Sequence, residues 1–389
     1  MSNRPLETPA QGSPVRVLLL CHSLEIGGLE TYLLRLLDYV RVSGGRDAQI
    51  HILCKSGRLG ALRDDFLALG AVLWPLRQRH VNPFDWLALR RLLLAQNYDA
   101  VCDFGGTFGA VAMLAARSAA VPRRLVFFRS MGTSSGLGMM RAIYRRVAGA
   151  VVLRCATTIL SNSEGALREA FPAQRQLGPP RFRVVRNGLP VRADRLTVQE
   201  RTVLRAQLGV ATDEALILHV GRFRWEKNHS LILAVAAELQ RCGVRARFVL
   251  AGGGVSEALQ AQITALRLRN LVVLGERRDV AHLLDAADVF FFPSLSEGQP
   301  NALLEAIAVG LPFVAANIAS IRECLPSWWA DRALVAPRDV QAAASLLIAE
   351  LRKPSRDDPA FRKLVDWTRS ETDPTITFAA FWRELVGGA

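Results

Sequence analysis

The amino-acid sequence predicts an α/β protein: two doubly wound, parallel-sheet domains facing across a cleft. Three observations carry the prediction. Short apolar runs of strand length alternate with longer amphipathic stretches, the pattern of parallel strands covered by helices on both faces. The alternation comes as two series with a break near residues 188–212. The chain has 389 residues, 50% hydrophobic and 22% charged, enough for two separate cores.

The first series follows a polar stretch, residues 1–13, that lacks an apolar signal core and reads as a flexible tail. Residues 15–20 (VRVLLL) read as a buried strand, followed by a glycine turn at Gly27-Gly28 and a helical stretch from Glu30. Strand-like runs recur at 50–54, 71–74, 100–103, 125–128 and 158–161, with helical stretches between. A run at 182–185 leads into Arg186-Asn187-Gly188, a turn signal that closes a first domain of residues 14–188. The second series runs through 216–220, 246–251, 271–274, 289–292, 313–315 and 333–335, within a domain of residues 189–372. The segment FAAFWREL, within 373–389, reads as a terminal helix with aromatic anchors.

Bulk properties narrow the function. No apolar run reaches membrane-spanning length. The cysteines (Cys21, Cys54, Cys102, Cys155, Cys242 and Cys324) are scattered, with no C-x-x-C pair and no metal-ligand spacing. They read as reduced thiols of a cytoplasmic protein. The net charge of +14 is uneven: residues 1–188 hold 25 Lys+Arg against 12 Asp+Glu, a balance of +13, and the remainder 24 against 23. An arginine-biased genome would explain Arg over Lys but not this asymmetry. The first half therefore suits something anionic: a membrane surface, a phosphorylated acceptor or nucleic acid. No nucleic-acid partner is expected, because the chain has no recognition motif and no aromatic-basic interleaving.

Chemistry concentrates in the second half. In SEGQPNALLEA, residues 296–306, Glu297 and Glu305 stand eight positions apart. Pro300 suits the first position of a helix, where a missing N–H costs nothing, and the helix then runs to about Gly310. Its apolar composition predicts a buried helix. The free N–H groups and positive dipole end of its first turn suit an anion such as phosphate. Helical side chains lean toward the N-terminus, so Glu305, one turn in, points back at that site. A buried, unpaired carboxylate is costly. A sugar diol would satisfy it with two hydroxyl donors; an ion-paired glutamate in an ordinary helix is the alternative. A second cluster, GRFRWEKN (221–228), follows the first strand of the second series. There Gly221 ends the strand, Arg222 offers a planar fork for phosphate and Lys227 a point charge. Two solvated loop cations are the plain alternative. LAGGG, 250–254, is a further glycine turn after a strand.

These segments, with SIRE (320–323), GGLETYLLRLL (27–37), ILSNSEGALREAF (159–171) and VRNGL (185–189), resemble the retaining family-four glycosyltransferases of the GT-B fold, over nearly the whole chain. The resemblance implies two Rossmann-like domains, the first binding an acceptor and the second a nucleotide sugar. It implies that Glu297 contacts the donor sugar, that Glu305 holds the nucleotide ribose, and that Arg222 and Lys227 neutralise the diphosphate. Gly221, Gly298, Gln299, Pro300, Asn301 and Ala302 would line the donor, and Gly27 and Gly28 would let the first domain's loop approach the diphosphate. The terminal helix, 373–389, would cross back so that Phe378, Phe381 or Trp382 packs against residues before 188. No cofactor is implied beyond a UDP-sugar or GDP-sugar donor. No D-x-D triplet is present, so no metal is expected.

One departure stands out. Many family members carry a histidine after the fifth strand; here VFFRSMGTSS (126–135) puts Arg129 and Ser130 there. His22, after the first strand, is the other candidate for that role. The implied reaction is retaining transfer, with attack from the leaving-group side and the departing phosphate taking the acceptor's proton. Glu297 would then position the sugar rather than act as a nucleophile. The alternatives are a non-catalytic nucleotide-sugar-binding relative and a nucleic-acid-associated transferase. The acceptor side has its own signal. On a helical wheel of 139–151, Met139, Met140, Ile143, Tyr144 and Val147 share one arc, opposite Arg141 and Arg145. Arg146, Arg123 and Arg124 add charge nearby. Such a helix suits a lipid headgroup layer, and with it a lipid-linked glycan, lipopolysaccharide or exopolysaccharide precursor at the inner face of the cytoplasmic membrane. A core-packed helix with a solvated polar face is the alternative.

Overall fold

The structure is a computed structural model and describes residues 14–43, 48–79, 82–129, 139–171, 181–189, 194–329, 331–353 and 355–387. The polar stretch 1–13 and Ser130 lie outside the described residues. The chain divides into two units: Met1–Gly188 with Pro374–Ala389, and Leu189–Asp373.

In the first unit the strands are β1 (Val15–Cys21), β2 (Ala48–Cys54), β3 (Val72–Trp74), β4 (Ala100–Asp103), β5 (Arg123–Phe128), β6 (Thr158–Ser161) and β7 (Phe182–Val184). Between them run α1 (Gly28–Val42), α2 (Arg63–Ala68), α3 (Pro83–Gln96), α4 (Ala110–Ser118), α5 (Met139–Cys155) and α6 (Glu164–Ala170). The strands form one parallel sheet in the order β3-β2-β1-β4-β5-β6-β7. Every residue of β1 except Arg16 is buried, as a central strand covered on both faces requires. Strand order reverses between β1 and β4, so the carboxyl ends of these two strands flank the crevice where doubly wound sheets bind ligands.

One face of this sheet carries Leu19, Ile52, Cys102 and Phe127 against Leu33 and Leu36 of α1. The other carries Leu18, Leu20, Val101 and Val126 against Leu93, Met113 and Val152 of the covering helices. The chain's last helix, which becomes α15 below, completes the first face. Its Phe378 ring lies 5.3 Å from Tyr32 and 5.7 Å from Tyr39, and its Phe381 ring 5.6 Å from Phe127. Trp382 is half-buried against the same cluster. Gly188 makes this approach possible: a Cβ there would stand 2.8 Å from the Pro374 Cα.

The second unit contains α7 (Val198–Gln207), β8 (Ala215–Val220), α8 (His229–Arg241), β9 (Ala246–Ala251), α9 (Val255–Ala265), β10 (Leu271–Val273) and α10 (Val280–Ala286). It continues with β11 (Val289–Phe292), α11 (Asn301–Ala308), β12 (Phe313–Ala316), α12 (Ala319–Glu323), β13 (Leu334–Val335), α13 (Val340–Arg352) and α14 (Pro359–Glu371), and α15 (Pro374–Val386) returns to the first unit. Its parallel sheet has the order β10-β9-β8-β11-β12-β13, reversing between β8 and β11. Helix α7 occupies the stretch read as a break. It starts on a capping box in which the Thr197 side chain accepts from the Glu200 N–H and Glu200 bonds back to Thr197. Five cysteines are buried and Cys242 is exposed, all of them free thiols.

Candidate functional site

In the second unit, the loops at the carboxyl ends of β8, β9 and β11 are tied into one piece. The Phe223 N–H donates to the Gly253 carbonyl at 2.9 Å, and the Leu295 N–H to the Glu226 carbonyl at 2.7 Å. Asn228 adopts the left-handed region at φ 55°, and its amide donates to the Pro293 and Pro337 carbonyls at 3.0 and 2.7 Å. Gly252 abuts the Gly221 carbonyl so closely that a Cβ would overlap it. On this frame Lys227 Nζ donates to Glu297 Oε1 at 2.7 Å and sits 5.0 Å from the Phe292 ring centre. Arg222 is exposed and, among the described residues, makes no ion pair.

Helix α11 departs from the sequence reading at both ends. Pro300 is its N-cap at φ −78°, ψ 71°, not its first helical residue, and the helix stops at Ala308 rather than near Gly310. A proline fits either position, because neither uses its missing N–H. The Asn301 N–H donates to the Gln299 carbonyl at 2.9 Å and that of Leu304 to the Pro300 carbonyl at 3.0 Å. Among the described residues, the N–H groups of Ala302 and Leu303 meet no backbone acceptor. Gln299 and Gly298 are buried, and Ser294 is buried with its hydroxyl unpartnered. Glu305 is half-buried, not fully buried, and has a partner within the protein. The buried, unpaired carboxylate expected from the sequence is therefore corrected: one helix face reaches solvent at Asn301, Ala302 and Glu305.

Two buried imidazoles lie under the β8 loop. His219 Nδ1 donates to the Phe291 carbonyl at 3.0 Å, and its ring centre is 5.3 Å from that of His229. A Cβ on Gly221 would stand 3.1 Å from both His219 Nε2 and Lys227 Cδ, so His219 floors the loop. Burial, then His229, then Lys227 push the His219 pKa down to about 3. Burial and Lys227 push His229 to about 4. Both are neutral near pH 7, so neither imidazole adds positive charge to this corner.

In the first unit, Gly27 is the extended N-cap of α1, which begins at Gly28 rather than Glu30. A Cβ on Gly28 would meet nothing within 4 Å, so the protein's own packing does not demand glycine there. His22 is exposed. Sequence reasoning passed over Lys55 and Asp103, which follow β2 and end β4. Lys55 Nζ donates to the buried Asp103 carboxylate at 2.8 and 3.0 Å, and the Gly105 N–H adds a third bond at 2.7 Å. The signal was a charged residue closing each of two apolar runs.

The expected amphipathic arc of α5 divides in the structure. Ile143 and Val147 are 54% and 58% exposed, but Tyr144 turns inward and stacks on Phe108 at 5.9 Å. Arg124 is spent on carbonyls, donating to Cys155 and Val121 at 2.7 and 2.6 Å. The side chains of Met139, Met140 and Arg141 lie outside the described residues.

Comparison with known proteins follows this geometry. The profile of glycosyl transferases group 1 matches residues 200–361, and that of the glycosyl transferase 4-like domain residues 27–188. The chain is 30% identical over 317 residues to EpsF of Bacillus subtilis, named as a glycosyltransferase, covering 78% of this chain and 80% of that protein. It is 26% identical over 314 residues to an Escherichia coli UDP-Gal:alpha-D-GlcNAc-diphosphoundecaprenol alpha-1,3-galactosyltransferase, covering 77% and 79%. Among solved structures, HepE of Anabaena in complex with UDP and glucose shares the fold at TM-score 0.78 and 19% identity, over 95% of this chain and 98% of that one. WaaG, involved in lipopolysaccharide biosynthesis, shares it at TM-score 0.72 and 18% identity, over 96% and 100%.

Proposed function

The chain belongs to the family-four glycosyltransferases of the GT-B fold, and from that premise we propose that it is a retaining enzyme of polysaccharide assembly. It takes a UDP-sugar or GDP-sugar as donor, needs no metal, and delivers the sugar to a lipid-linked or other glycan acceptor. The observation that carries this reading is the joined set of loops holding Lys227 and Glu297 beside the open first turn of α11. As the glycosidic bond breaks, charge grows on the diphosphate. Arg222, Lys227 and the free N–H groups of Ala302 and Leu303 are donors suited to that charge. Glu305 suits the ribose hydroxyls and Glu297 the sugar. Gly27 and Gly28 leave bare backbone at the start of α1, as a close approach to phosphate requires.

Two relatives support the substrate classes: one is named for a diphosphoundecaprenol-linked acceptor, and the fold neighbour from Anabaena holds UDP-glucose. Among the described residues no helix is long and apolar enough to cross a membrane. The location we propose is the cytoplasmic face of the membrane, with the exposed Ile143, Arg146 and Val147 touching anionic lipid. The test is a panel of UDP- and GDP-sugars, following nucleotide release with and without EDTA, and the anomeric configuration of the product by NMR. Release from none of them defeats the reading, as does inversion at the anomeric carbon or a strict need for Mg²⁺ or Mn²⁺.

A further inference from the structure

Arg129 sits just past β5 in the first unit, stacked on two aromatic rings and, among the described residues, without an ion partner. Its guanidinium carbon lies 4.2 Å from the Tyr32 ring centre and 5.5 Å from that of Phe127. Among the described residues it forms no hydrogen bond and no ion pair; Nη1 is buried without a partner. The Tyr32 hydroxyl is also buried without a partner. Burial pushes its pKa down to about 10, against smaller opposing contributions from Tyr32 and Glu30. The group is still a cation near neutral pH. A half-buried cation with one N–H shut away from water and idle is a standing cost to the fold unless something anionic comes to it.

The surroundings suit such a visitor. Tyr32 stands four residues after Gly28, so the two share one face of α1. Helical side chains lean toward the N-terminus, which brings the Tyr32 ring toward the Gly28 end. The space in front of Gly28 is open, and the helix has no side-chain cap there.

We propose that Arg129 and Tyr32, beside the bare start of α1, bind an oxyanion carried by the acceptor: a carboxylate or a phosphate. Arginine presents paired N–H donors that match either group, and the tyrosine hydroxyl adds another. Assigning the anion to the acceptor rests on the glycosyltransferase reading; the anion site itself rests only on the first unit's geometry.

Isothermal titration of the full chain with inorganic phosphate, with glucuronate and galacturonate, and with glucose tests it. Wild type should bind phosphate or a hexuronate and not glucose; because the donor site also takes phosphate, the anion whose binding is lost in Arg129→Gln identifies the source. Arg129→Gln should weaken that binding at least tenfold, Arg129→Lys less, and Tyr32→Phe severalfold. Thermal melting separates a ligand site from a packing stack. Without anion, Arg129→Gln should melt higher than wild type, because an unpaired, half-buried cation is gone; with anion the order should reverse. No binding of either anion at millimolar concentration overturns the proposal. So does unchanged affinity in Arg129→Gln or, should that variant not fold, in both Arg129→Lys and Tyr32→Phe. A lower melting point for ligand-free Arg129→Gln also overturns it. UDP binding, measured in parallel, reports on the donor site: its absence would sink the donor reading and leave this one standing.

Discussion

Lys227 and Glu297 are 70 residues apart in sequence and 2.7 Å apart in space. The pair holds the cation in the loop before any ligand arrives. Removing the cations should therefore act on turnover: Lys227→Ala and Arg222→Ala are each expected to lower kcat roughly 10²-fold, as for loss of one dominant charge-stabilising donor. Glu305→Ala is expected to weaken UDP binding about tenfold or more, the effect of losing about 1.4 kcal/mol or more of hydrogen bonding. Full activity in the Arg222/Lys227 double variant, or unchanged UDP affinity in Glu305→Ala, would remove these residues from the site. The two glutamates and two cations were legible because charges set within or against apolar runs stand out in a sequence. Their pairing was not, since no local pattern reports a contact across 70 positions. Arg129 was visible only as a departure from a family pattern; its idle N–H needed coordinates to be seen.

The strands of both sheets could be read from apolar runs, because strands buried on both faces leave little room for polar residues. Helix α7 could not: none of its residues is fully buried and only Leu204 leans on the core, so its polar composition reads as a break, and its clearest written trace was the T-x-x-E of its capping box. Strand β8 and helix α8 carry the buried His219 and His229 into contact, which makes a prediction about pH. In the unfolded chain each imidazole takes up a proton near pH 6.5, by the usual histidine value of about 6.5. In the folded protein they do so only near pH 3 and 4. Between these limits the unfolded state binds more protons, so stability should fall as pH drops from about 6.5 toward 4, by up to about 1.4 kcal/mol per pH unit for each histidine. Urea midpoints at pH 7, 6 and 5 measure this; a flat profile would mean that the pair is not buried as described. On helix α15, Phe378→Ala and Phe381→Ala should each cost about 3–5 kcal/mol of first-unit stability, as for other buried phenylalanines, read from the same urea curves.

For the whole molecule, the first half's balance of +13 is the largest electrostatic fact. Sedimentation with anionic vesicles at low salt should pull the protein down, neutral vesicles should not, and added salt or Arg146→Glu with Ile143→Asp and Val147→Asp should release it. Equal recovery in the supernatant with both vesicle types would leave a soluble acceptor as the reading. The division into two units was legible because the apolar runs stop and restart around 188. The return of α15 was expected only from resemblance, since an amphipathic helix does not say which sheet it will cover.

That return has a consequence for how the protein is made. The second unit is one uninterrupted stretch, Leu189–Asp373, whereas the first needs Phe378, Phe381 and Leu385 to close its core. During synthesis, at about 5–20 residues per second, the second unit's whole sequence emerges before the first unit's last piece. The part translated first is thus finished last, and until then its Tyr32–Phe127 cluster stays open to chaperones, proteases or another unfinished chain.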